Sequence, residues 1–134
     1  MTRYTALTRA VAICVAGSAA PETVAPDYYL DALFAVSTAE RLAQFCPDVD
    51  VSLEAANSAS ELLLSRLATD GIVGDALTEL SGVEAGVGSR QAAFMERHAL
   101  AAPSTNDICA AAFSEIDEGS ALGQLLVGSE AGGQ

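Results

Sequence analysis

Between Asp27 and Phe45 the apolar residues return every three or four positions, the period of a helix with one buried face. Leu30, Leu33, Phe34, Leu42, Phe45 and Cys46 share that face with Thr38 and Arg41, while Asp31, Glu40 and Gln44 are left for solvent. Thr38 suits a buried face if its hydroxyl bonds a carbonyl of the preceding turn. Arg41 suits it if its stem lies along the edge and its charge stays in water. Pro26 fits a first turn, Asp27 adds negative charge where the helix dipole favours it, and Pro47 ends the run. Cys46 therefore falls at a helix C-terminus.

The pattern continues in shorter blocks. Val51 to Ala68 predicts a second helix, with Leu53, Ala56, Leu63, Leu64 and Leu67 as its stripe. Asp48 or Asp50 is available as its cap and Gly71 as its stop. DALTEL predicts a short helix with Leu77 and Leu80 inward. Gly82, Gly86 and Gly88 then weaken the helix by about 1 kcal/mol each relative to alanine. A break is expected near Ser81, followed by a third long helix that runs through RQAAFMERHAL with Phe94, Met95 and Leu100 as core. Ser104, Thr105 and Asn106 compete to cap a fourth helix, whose face is Cys109, Ala112, Phe113 and Ile116. SALGQLLV predicts a last helical turn or two. There is no internal repeat and no alternation long enough for a sheet. The fold class is all-α: a compact array of about four main helices, with one interhelical disulfide once the cysteines below are paired.

The first twenty residues differ from the rest. Arg3 and Arg9 precede a short apolar run ending in Ser18-Ala19-Ala20, the layout of a secretory signal peptide cleaved after Ala20. The run is too short to span a membrane. The division expected is a signal peptide over 1–20 and one helical domain over 21–134 with loose ends, periplasmic or secreted. Cleavage removes Cys14 and leaves Cys46 and Cys109, and two cysteines in an exported chain predict a disulfide. It would close a loop of roughly 63 residues, for which the chain-entropy estimate is about 4 kcal/mol.

Charge narrows the functions. The chain holds 18 acids, six arginines and no lysine, for a net charge of −12. Removing residues 1–20 takes away two arginines and no acid, giving −14. Such a surface disfavours nucleic acid and anionic lipid and favours basic protein or divalent cations.

Sites of familiar chemistry are tested and set aside. The glycines near Gly82 lack the lysine of a phosphate loop. Asp48, Asp50 and Ser52 open like a calcium loop, but Leu53 and Ala59 stand where glycine and glutamate belong. Glu115, Asp117 and Glu118 form an acidic cluster that could do acid–base work in a cleft. Ile116 pointing inward predicts that they face water instead. His98 is the only histidine and is expected at a helix end or on the surface. No catalytic residue, metal site or cofactor is assigned, and the reading leans away from an enzyme. Gly82, Gly86 and Gly88 are the candidate interface, where a partner helix could approach closely. Replacing Gly86 with leucine is expected to leave stability unchanged or slightly raised.

The order YLDALFAVSTAERLAQFC, LLSRLATDG, GDALTEL, RQAAFMERHAL and ICAAAFSEIDEGSALGQLLV resembles an uncharacterised family of small exported helical proteins from Rhodobacter-type alphaproteobacteria. The resemblance covers about Asp27 to Val127. Its most specific pieces are Cys46 and Cys109, with Glu115, Ile116, Gly119, Ser120 and Gly123–Leu126. The family it resembles is often basic where this chain has Gly86, Gly88 and Glu118, so this departure argues against an anion-binding role there. The resemblance implies export and a helical fold, and no activity. The function expected is a non-catalytic periplasmic domain, a protein-binding or accessory subunit of an envelope assembly. The alternatives are an acid-stress-type periplasmic chaperone and a minor hydrolase using the cluster near Glu115.

Overall fold

A computed structural model describes residues 22–129 and, before them, Gly17. The expected signal peptide, apart from Gly17, and the tail from 130 lie outside the described residues. The order is α1 (Asp27–Phe45), β1 (Val49–Val51), α2 (Leu53–Thr69), α3 (Asp75–Thr78), α4 (Val83–Arg97), α5 (Thr105–Glu118), a 3₁₀ turn (Gly123–Leu125) and β2 (Leu126–Gly128). Among the described residues the fold is all-helical apart from this short ribbon and an isolated parallel bridge between Val24 and Ser81.

Helix α1 is the centre, packing against α4, α5, α2 and β1. Its buried residues are Leu30, Ala35, Thr38, Ala39 and Leu42. The small side chains Ala35 and Ala39 hold the middle of the face, and Phe45 is turned outward. Cys46 leaves the helix in extended conformation, as the following proline requires. It is fully buried and bonded to Cys109 near the start of α5, with the two Cα atoms 5.1 Å apart. The expected disulfide is present.

The sequence predicted no strand, yet Val49–Val51 pairs antiparallel with Leu126–Gly128. The partners are far apart in the chain and only three residues long, too short for an alternating pattern. This pairing moves the start of α2 from Val51 to Leu53. Ser52 caps it, accepting from the Ala55 N–H, so neither Asp48 nor Asp50 does. It also converts the end of the expected last helical turns into strand. Gly71 does stop α2: at φ +75° it lets the N–H of Ile72 reach the Leu67 carbonyl and its own reach that of Ala68. Of the predicted α2 stripe only Leu67 is buried, and Leu53 and Leu64 are exposed. Tyr28 on α1 holds the far end of α2, donating to Asp70 at 2.6 Å with Arg66 stacked on its ring.

Helix α4 begins at Val83, as the predicted break near Ser81 requires. Arg90 ties it to α1 through Asp27 and Asp31. Ser104 and Asp107 form a reciprocal capping box at the start of α5, and its hydrogen bonds hold the Asp107 carboxyl below the usual range. The buried face of α5 is Ala111, Ala112 and Glu115, one residue round from the predicted face, and Phe113 is exposed.

Candidate functional site

Glu115 is the one buried acid among the described residues, with 1% of its surface exposed. Three donors from two other segments converge on it. Arg97 and His98, the last residue of α4 and the one after it, both reach Oε1. Ser120, just past α5, donates its hydroxyl to Oε2. His98 Nε2 lies 2.7 Å from the carboxylate, which can only accept. Nε2 therefore carries the proton, and the nearby Arg97 Nε at 3.3 Å does not donate to it.

Local geometry explains each position. Gly119 takes φ +63° and reverses the chain at the end of α5, which folds Ser120 back onto Glu115. The Ser120 hydroxyl also accepts from the Gly123 N–H at 3.0 Å, which starts the 3₁₀ turn. At the end of α4, Ala99 takes the left-handed φ of +52°, and the Leu100 N–H bonds the Met95 carbonyl. The His98 ring packs against Phe94 at a tilt of 54°, with centroids 4.7 Å apart.

Burial pushes the Glu115 pKa up, but the hydrogen bonds from Ser120 and His98 and the charge of Arg97 outweigh it. The carboxyl is held below its ordinary value. Both of its oxygens are taken, and neither groove described below touches it. The arrangement clamps α4, α5 and the 3₁₀ turn together, and it is not laid out as a catalytic triad, because serine and histidine meet the carboxylate and not each other. Glu115 therefore does not face water, and His98 stands at the end of α4 as expected, with its side chain turned in to Glu115 and not out to solvent. Asp117 and Glu118 are exposed. Ile116, expected to point inward, is only half-buried.

The three candidate glycines have different surroundings. A side chain at Gly86 would meet Leu30 Cδ1 at 2.5 Å, so this glycine serves the packing of α4 on α1. At positions 82 and 88 a side chain would have open space around its Cβ, with no heavy atom within 4 Å. Both line an open trough of about 990 Å³ between α1 and α4, with Leu33, Ser37, Val83 and Val87. A second, narrower groove of about 410 Å³ lies between α1, α4 and the start of α5. Thr38 lines it, and Thr38 Oγ1 is buried with no hydrogen-bond partner. The carbonyl bond expected for this hydroxyl is not made, which costs about 1–3 kcal/mol.

Cys46, Asp48 and Cys109 bring ligand-type atoms within 4.8 Å of one another. Both sulfurs belong to the disulfide and offer no thiolate, so the trio does not suit a metal. Among the described residues no helix is long and apolar enough to cross a membrane.

Fold and clamp together define a disulfide-stapled helical domain built around one buried carboxylate. Residues 24–127 match a family of unknown function, DUF5333, and the chain belongs to that family. Comparisons with curated proteins and with solved structures found no match.

Proposed function

We propose that this is a non-catalytic exported domain that docks a helix of an envelope protein in the trough between α1 and α4. The trough carries the reading. Its lining has no side chain at Gly82 and Gly88, so a partner backbone can come close, and Leu33, Val83 and Val87 supply apolar contact. Glu84 on its edge, in a chain of net charge −12, favours a basic flank on the partner. Laying an amphipathic helix in an apolar groove is a common recognition mode. The disulfide supports an oxidising compartment.

The test is photocrosslinking in cells from a reactive side chain at position 87. One envelope protein should be captured, and Gly88→Arg should abolish the adduct without lowering the melting temperature. An adduct that survives Gly88→Arg, or none at all, defeats the reading. Export is tested separately, by a mass that starts at Pro21.

A further inference from the structure

We propose that the narrower groove between α1, α4 and the start of α5 binds a single medium-chain fatty acid, its carboxylate at Thr38 and Arg41 and its chain along the apolar wall. The volume of about 410 Å³ lies within the range of small-ligand pockets. The wall is Leu42 and Phe45 from α1, Phe94 and Met95 from α4, and Leu100 and Ile108 beyond. Phe45 and Met95 are half open to solvent, so they form a mouth that an apolar chain would cover.

Two polar groups single out the head. Thr38 lines the groove, and its Oγ1 is closed off from solvent without a partner; a turn about its Cα–Cβ bond would bring the hydroxyl into the groove to donate to a carboxylate oxygen. Arg41 lies three residues further along α1, hence beside Thr38 on the same face. Among the described residues Arg90 and Arg97 sit in ion pairs and Arg66 lies on the Tyr28 ring, while Arg41 has no such partner. A planar guanidinium beside a hydroxyl matches a carboxylate. One arginine in so acidic a chain suits a monoanion better than a phosphate dianion. The acidic surface still disfavours anionic bilayers, because this attraction is local to one groove. The inference does not rest on the docking of a protein in the trough, since only Gln91 borders both grooves.

The experiment titrates the disulfide-intact chain with decanoate below its micelle concentration, by calorimetry and by methyl NMR. The chain has two methionines, Met1 and Met95, so one methyl signal reports the groove. Saturable binding of one decanoate per chain should shift the Met95 methyl. Arg41→Gln should weaken binding by about tenfold or more at unchanged melting temperature. Thr38→Val should weaken it too, and Arg66→Gln should not. Decanol should bind more weakly than decanoate and be indifferent to Arg41→Gln. Absent saturable binding, equal binding of decanol and decanoate, or decanoate binding untouched by Arg41→Gln would each overturn the proposal.

Discussion

Gly123 lies against the main chain of Glu115, so close that a side chain at 123 would overlap the Glu115 carbonyl and crowd the Ile116 nitrogen. Neither neighbour is a flexible side-chain tip, so the 3₁₀ turn itself would have to move. Gly123 φ is not in the left-handed region, so the requirement is for space and not for conformation. Gly123→Ala should destabilise by about 3 kcal/mol or more, at the upper end of overpacking costs. A urea titration measures it, and an unchanged midpoint would refute the close packing.

Removing the Glu115 carboxylate should be costly, because it leaves His98 and Ser120 without their acceptor. Glu115→Ala should cost about 3 kcal/mol. Glu115→Gln, which keeps the shape, should cost less.

The same clamp sets a pH dependence. The Glu115 carboxyl is held below its ordinary value of 4.5, so its contribution is complete above that pH and is lost as the pH falls through the lower folded value. The stability gap between the native chain and Glu115→Gln should be constant near neutrality and close below about pH 4.5. Urea midpoints from pH 7 to pH 3 test this, and a gap that widens on acidification would reverse the assignment.

The disulfide joins residues 63 apart in the chain. Its reduction should cost about 2–4 kcal/mol and lower the melting temperature by about 10 °C. Intact protein should weigh about two mass units less than the reduced form, because the bond removes two hydrogens. Calorimetry with and without reductant gives the first number and mass spectrometry the second.

Gly86 and Gly88 should respond in opposite senses to leucine. Gly86→Leu drives a side chain into Leu30, which is buried, and should destabilise by about 1–3 kcal/mol. Gly88→Leu meets open space in a helix and should stabilise by about 0.5–1 kcal/mol. Thermal melts of the two variants decide it, and equal shifts would contradict the placement of Gly86. The same melts decide between this outcome and the neutral one that the sequence alone leads to expect for Gly86→Leu.

What the sequence determined is local. Pro47 ends α1, Gly71 turns the chain left-handed at the end of α2, and the cap of α5 lay among Ser104, Thr105 and Asn106, of which Ser104 serves. Each signal acts within one turn of its own residue, and so it was legible. The pairing of Cys46 with Cys109 was legible because cleavage after Ala20 would leave just two cysteines. The tertiary structure decided what faces what. Helical period placed Glu115 outward beside Ile116, because period assumes a single covered face. Here the end of α4 and the returning 3₁₀ turn cover a second side of α5, and three donors compensate a buried charge. Gly86 read as a weak helical position or as a place where another helix comes close, and nothing near it in the chain reveals that the helix is α1, with Leu30 across the interface. The ribbon of β1 and β2 was hidden for the same reason, since three-residue strands draw their stability from each other and carry no pattern of their own.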